Sequence, residues 1–472
     1  MNAPTPPLLA RFAAIVGEPH ALRDPAAIAP YVREERDRFF GATPLVLRPG
    51  SVAEVAAIVA LAAETGTPVV PQGGNTGLVG GQIPSERGDE IIVSLSRLNR
   101  IRNVDAASNT MIAEAGVILA DVQAAADGAG RLFPLSLASE GSCEVGGNIS
   151  TNAGGTAVLA YGNTRDLVLG LEVVLPSGAV WDGLRTLRKD NTGYDLKNLF
   201  IGAEGTLGIV TAAVLKLFPK PRGVSVAIAA VADPDAALAV FTIARNHAGA
   251  SLTAAEIMPR VGIETVLRFV DGTRDPLTAP HPWYLLLEVS SGQSQADADA
   301  TIESIFAEAF EAGLAADGVR AESLAQADAF WKIRHGLSDV QKRLGGSIKH
   351  DVAVPVGAVP ELLARSAEAT SALIPGSIPF AFGHLGDGNI HLNLTQPPGM
   401  DKKAFLDRWY EVNETVHAVV LALGGTISAE HGIGVLKRGL LPGVKSPVEM
   451  DLMRTIKAAL DPKGIMNPGK VL

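Results

Sequence analysis

One cysteine, Cys143, in 472 residues leaves no partner for an intramolecular disulfide and excludes a cysteine-built zinc or iron–sulfur site. That usage reads as a reducing compartment, and a cytoplasmic location is expected. Positive charge is also in short supply. Lys+Arg 40 against Asp+Glu 50 gives a net charge of −10, so a phosphate-neutralising surface for nucleic acid is not the theme of this chain. No apolar run approaches the ~20 residues of a membrane-spanning helix. The longest charge-free stretch, Val145 to Thr164, is full of glycine and asparagine. The first 24 residues lack the basic region and long apolar run of a leader. With charged residues at 19% and apolar residues at 47%, the chain should fold rather than remain disordered.

Glycine, by contrast, is plentiful, with Gly 50 and Pro 30, and it is concentrated in two blocks. Pro71-Gln72-Gly73-Gly74-Asn75-Thr76-Gly77 follows the strand-like Thr67–Val70. The second block runs from Pro134 to Gly155 and includes Ser139, Gly141, Ser142, Gly146, Gly147, Asn148, Thr151 and Asn152. Loops of this composition expose backbone N–H groups that can converge on a pyrophosphate without side chains in the way. Two of them can clamp an extended dinucleotide. Neither GxGxxG nor GxxxxGK[ST] occurs, which removes the main support for nicotinamide Rossmann and P-loop readings. Gly-rich turns between strands are the plain alternative for either block alone.

Helix-like and strand-like segments alternate up to about Lys220. A capping box at Ser51…Glu54 opens a helix to Thr65, and Leu119–Gly128 is a second, Ala-rich helix. Phe218-Pro-Lys-Pro-Arg222 marks a boundary. Beyond it, strands at Val224–Val231 and Trp283–Val289 alternate with helices at Ala236–Ala248, Ala296–Ala315, Val359–Leu373 and Lys402–Leu423. The expected division is residues 1–220, 221–423 and 424–472.

In the second part, Phe380-Ala-Phe-Gly-His384-Leu-Gly-Asp-Gly-Asn-Ile-His391-Leu-Asn393 reads as a hairpin with a two-residue Asp387-Gly388 turn. That turn sets His384 opposite His391, on a face shared with Phe382 and Asn393. Leu385, Ile390, Leu392 and Leu394 then lie on the other face. A four-residue loop keeps the histidines paired and a three-residue loop does not. Further on, Ser428-Ala-Glu430-His431-Gly-Ile-Gly adds a carboxylate and a third histidine. A His/His/Glu set suits a catalytic divalent metal, Zn²⁺ or Mn²⁺. Buried hydrogen-bonding histidines, with Glu430 paired to Lys437 or Arg438, are the alternative. On a helix, Arg334 and Ser338 stand at i and i+4, and Lys349 follows; two cations suit a dicarboxylate better than a monocarboxylate. A solvated helix face is the competing reading.

These motifs, with Gly202-Ala-Glu204-Gly-Thr-Leu-Gly208-Ile209-Val and the terminal Asn467-Pro-Gly-Lys, resemble the FAD-linked oxidases of the vanillyl-alcohol-oxidase type. Within that superfamily they are similar to the D-2-hydroxyacid dehydrogenases, and the resemblance runs from Pro44 to Leu472. It implies an α+β fold: an N-terminal PCMH-type (p-cresol-methylhydroxylase-type) FAD-binding domain of two α/β subdomains, an antiparallel-sheet α+β substrate or cap domain, and a small C-terminal helical segment that packs near the flavin. It implies that the two glycine blocks and Glu204, Gly208, Ile209 and Asn467 bind FAD, and, with Asn75 in the first loop, that FAD is non-covalent. His384, His391 and Glu430 are the metal ligands it implies, His431 the base, and Arg334, Ser338, Lys349 and Asn393 the substrate contacts. A homodimer is expected on the same ground.

The combined reading is oxidation of a D-2-hydroxyacid, with D-2-hydroxyglutarate preferred and D-lactate or glycolate next. Electrons would pass to a second acceptor such as an electron-transfer flavoprotein or a quinone. From other classes, a zinc hydrolase using the His/His/Glu set leaves the glycine loops without a purpose, and a non-catalytic flavin-binding protein remains.

Overall fold

The computed structural model describes residues 4–472 as two compact units. One comprises 4–155, 162–220 and 430–472; the other comprises 156–161 and 221–429. Residues 430–472 therefore belong to the first unit, and 424–429 to the second.

Besides a two-stranded pair, Arg131–Leu132 with Phe218–Pro219, the first unit holds two larger sheets. In the smaller, the strands run Ala21–Leu22, Val46–Leu47, Ile91–Ser94, Val69–Gln72, and the last three are parallel. Parallel strands need crossovers, and the helix Val52–Thr65 supplies one. Ser51 caps that helix by accepting from the Glu54 N–H at 3.2 Å, but the expected box is only half formed: Glu54 accepts from Gly50 rather than from the cap residue. The larger sheet is antiparallel, in the order Ile101–Asp105, Thr110–Glu114, Ile209–Lys216, Val168–Val174, Val180–Gly183. Met466 bridges to Val69, so the C-terminus is built into the parallel sheet.

The second unit is one large antiparallel sheet covered on both faces. Along Gly223–Val231, Ala227, Ala229 and Val231 enter one core, while Val226, Ile228 and Ala230 enter the other. Burial on both faces explains the unbroken apolar run of that strand. The first core is completed by Pro234–Ala248, Gln295–Glu311, Val359–Leu373 and Trp409–Ala422; the second by Arg260–Phe269 and Leu324–Val340. The expected helix Lys402–Leu423 is two helices, Lys402–Leu406 and Trp409–Ala422, parted where Arg408 turns to donate to the carbonyl of Leu373.

Candidate active site

In the first unit the two glycine blocks meet. A Cβ on Gly74 would lie 2.0 Å from the carbonyl oxygen of Ser142, and one on Gly73 would touch the Glu144 side chain at 3.4 Å. At position 74 only glycine permits that approach. Four non-glycine residues of the motifs, Asn75, Asn152, Glu204 and Asn467, hold left-handed backbone with φ between 43° and 57°. Asn75 Oδ1, Glu144 Oε2, Asn148 Nδ2 and Asn467 Oδ1 are buried without a hydrogen-bond partner. Orphaned polar atoms on converging glycine loops are what a polar dinucleotide would satisfy, so the residues fit FAD. Cys143 is buried, and burial pushes its thiol up, away from the thiolate needed for a covalent link.

Several of the residues expected at the cofactor also brace the loops. Gln72 donates to the carbonyls of Tyr31 and Gln82, each at 2.9 Å. Gly77 accepts from the Gln82 side chain, Thr151 donates to the Gly147 carbonyl, and Asn152 accepts from the Arg165 N–H. These residues hold the loops in shape, leaving backbone groups to meet a ligand. Glu204 is the clearest example. Its two carboxylate oxygens accept from the N–H groups of Ile433 and Gly434 at 2.7 and 2.8 Å, and Asn467 donates to its carbonyl. Burial raises the Glu204 proton affinity, and those two N–H groups and Lys437 oppose it. Glu204 thus fixes the turn that carries His431, while the neighbouring Glu430 lies against the second glycine block: a Cβ on Gly154 would be 2.8 Å from Glu430 Oε1.

In the second unit the hairpin register differs from expectation by two residues. The strands are Ile378–His384 and Asn389–Thr395, joined by the four-residue loop 385–388; because this loop is centred one residue before the expected turn, it does not keep the histidines paired as expected of a four-residue loop, and His384 faces Asn389 while His391 faces Phe382. A shift of two preserves the face. His384 and His391 remain diagonal neighbours with ring centroids 5.5 Å apart, and Leu385, Ile390, Leu392 and Leu394 go to the opposite core as expected.

The strand Leu252–Pro259, unnoticed in the sequence, adds the central residue of this face. Its Ala255 and Ile257 point into one core and Met258 into the other, which puts Glu256 on the histidine side. Fully buried, Glu256 accepts from His384 Nδ1 at 2.7 Å and from Arg334 Nε at 2.6 Å. Burial alone would raise its pKa, but Arg334 and His384 outweigh it and hold the carboxyl at about 2. An ionised carboxylate only accepts, so the proton lies on His384 Nδ1 and Nε2 is the nitrogen suited to a metal.

Arg334 is 3% exposed, which removes the reading of a solvated helix face. It stacks its guanidinium 4.9 Å from the Phe382 ring centre, and Phe382 in turn lies 5.1 Å from His391. Because Nε serves Glu256, the two Nη groups are the donors a substrate carboxylate would meet. One helical turn on, the Ser338 carbonyl accepts from Lys349 Nζ at 2.8 Å. Asn393 is buried, and its Oδ1 accepts from the His350 N–H. Arg334, Ser338, Lys349, Asn393, His384 and His391 all lie in one unit; Glu256 and Phe382 link Arg334, His384 and His391, whereas Lys349 is tied to Ser338 and Asn393 to His350.

The fold and the glycine cradle define a flavin-dependent oxidoreductase. The chain belongs to the FAD-linked oxidase family: residues 43–183 match its FAD binding domain and residues 220–471 the C-terminal domain of FAD linked oxidases. An Arabidopsis thaliana protein named mitochondrial D-2-hydroxyglutarate dehydrogenase is 38% identical over 98% of this chain and 80% of its own length. A D-2-hydroxyglutarate dehydrogenase of Xanthomonas citri pv. viticola is 37% identical over 95% of this chain and 93% of its own. Among solved structures, p-cresol methylhydroxylase with substrate bound superimposes with a TM-score of 0.76 over 98% of this chain and 96% of that one, at 16% identity, a likeness of fold alone. Among the described residues no helix is long and apolar enough to cross a membrane.

Proposed function

We propose that the protein is an FAD-dependent, divalent-metal-assisted dehydrogenase of a D-2-hydroxyacid, with D-2-hydroxyglutarate its preferred substrate. The observation that carries this reading is the chain His391–His384–Glu256–Arg334, buried except for the half-buried His391, in which two histidines and an arginine share one face as a metal and a substrate carboxylate would need. The names of the Arabidopsis and Xanthomonas relatives support the same substrate. His384, His391 and Glu430 would hold Zn²⁺ or Mn²⁺. A bound divalent ion lowers the pKa of a coordinated hydroxyl, and FAD accepts hydride.

The chain's own residues do the rest. Arg334 and Lys349 bind the substrate carboxylates, Ser338 and Asn393 orient the acid between them, and His431 takes the hydroxyl proton on an imidazole nitrogen. Glu204 keeps the His431 turn in place. Electrons then leave to a second acceptor, an electron-transfer flavoprotein or a quinone; a yeast relative, 35% identical, is named a D-2-hydroxyglutarate–pyruvate transhydrogenase. A cytoplasmic location and a homodimer remain part of this proposal.

A second reading, D-lactate oxidation, has support in a Schizosaccharomyces pombe relative named a putative D-lactate dehydrogenase, 35% identical over 97% of this chain. Lys349, bonded to the Ser338 carbonyl one helical turn from Arg334, would be the second cation that favours the diacid. A panel of D-2-hydroxyglutarate, D-lactate and glycolate, run with and without a chelator, separates the readings. A kcat/KM at least about tenfold higher for the diacid, lost on chelation and restored by Zn²⁺ or Mn²⁺, is the expected result.

A further inference from the structure

Glu144 has no part in the scheme above. It lies where the two glycine blocks meet, its side chain against Gly73, its backbone bridged to Ile118, and the N–H of Gly147 close by. It is 7% exposed, and its Oε2 has no hydrogen-bond partner. A carboxylate in that position faces two difficulties. It is desolvated without compensation, and a bound dinucleotide would bring two phosphate charges of the same sign into the cradle. A neutral carboxylic acid meets neither, and it offers one O–H donor to an acceptor oxygen.

We propose that Glu144 meets FAD as a neutral acid, donating its proton in a hydrogen bond to an acceptor oxygen of the cofactor, so that FAD binding is coupled to protonation of this side chain.

The surroundings agree. The loop Pro71–Gly77 and the helix Val145–Ser150 carry no titratable residue. The turn before Glu144 carries two: Cys143, whose thiol burial keeps neutral, and Glu140, which accepts from Gln123. Burial is what pushes the Glu144 carboxyl up to about 8, with no cation opposing it. A bound dianion raises it further. Between the two values, FAD binding takes up a proton from solvent, and affinity falls by up to about tenfold per pH unit. Below the lower value the acid is already protonated, and affinity is flat.

The test is FAD titration of the flavin-stripped protein, followed by flavin fluorescence, between about pH 6 and 9. The wild type should hold a nearly constant Kd up to about pH 7.5 and lose about fivefold between about pH 8 and 9. Glu144→Gln keeps a donor without a titration, so its Kd should be flat and within about threefold of the wild type at low pH. Equal slopes in the two proteins, a flat wild-type profile, or failure of wild-type FAD binding at every pH overturns the proposal. Calorimetric titration of the wild type at about pH 9, in buffers of different ionisation enthalpy, reads the proton directly and needs no variant. Uptake approaching one proton per FAD supports the proposal, and none refutes it. Neither measurement depends on the metal or the substrate.

Discussion

Glu256 Oε1 accepts a hydrogen bond from His384 Nδ1 at 2.7 Å. The same carboxylate holds Arg334, so a single buried residue orients a proposed metal ligand and a proposed substrate cation together. Replacing Glu256 by Gln removes the charge that fixes the His384 tautomer. Metal titration of the variant should show affinity reduced by about 10- to 100-fold. Breaking the buried pair should also lower stability by about 3–5 kcal/mol, read from denaturant unfolding. Unchanged metal affinity in a folded variant would leave His384 oriented by something else.

Removal of the metal gives a second prediction. Chelation, or His391→Ala, should abolish oxidation of D-2-hydroxyglutarate while leaving the flavin spectrum intact, because the glycine cradle and the hairpin belong to different units. Elemental analysis should find about one divalent ion per chain in the wild type and a large loss in the variant. A fully active, metal-free protein would exclude the ligand assignment.

Lys349 is the residue expected to separate diacid from lactate. Lys349→Ala should raise KM for D-2-hydroxyglutarate by about 10- to 100-fold and change D-lactate kinetics far less, in keeping with about 1.5–3 kcal/mol for a hydrogen bond to a charged group. Equal losses on both substrates would count against a role at the distal carboxylate.

The turn after His431 is held by Glu204 and by glycine. A Cβ on Gly434 would sit 2.3 Å from the Val79 carbonyl oxygen, at a backbone φ of 52°. Glu204→Gln removes one of two acceptors for the turn and should lower kcat by up to about 100-fold, with FAD content and KM little changed. Loss of bound flavin instead would return Glu204 to the cofactor.

Much of this was legible in the chain, and the misses have physical causes. The helices Leu119–Gly128 and Val359–Leu373 have the bounds expected of them, because a glycine or a proline punctuates one end of each. The glycine blocks stood out by composition. The hairpin departs from expectation in where its turn is centred: Asp-Gly favours a two-residue loop at 387–388, whereas here Asp387 accepts from the Asn389 N–H inside the four-residue loop 385–388. The face survived the error because pleating repeats every two residues. Glu256 was invisible: it sits in Leu-Thr-Ala-Ala-Glu-Ile-Met-Pro, a buried strand without motif, and its meaning lies in partners 78 and 128 residues away. Glu204 carried a motif, but only the fold reveals that its oxygens meet the backbone of Ile433 and Gly434.

The central claim is tested most directly by the visible spectrum of the purified protein under anaerobic conditions, before and after D-2-hydroxyglutarate and, separately, D-lactate. Flavin bands that bleach with the diacid and hardly with lactate are the predicted result. Flavin bands that neither acid bleaches, or that lactate alone bleaches, would contradict it.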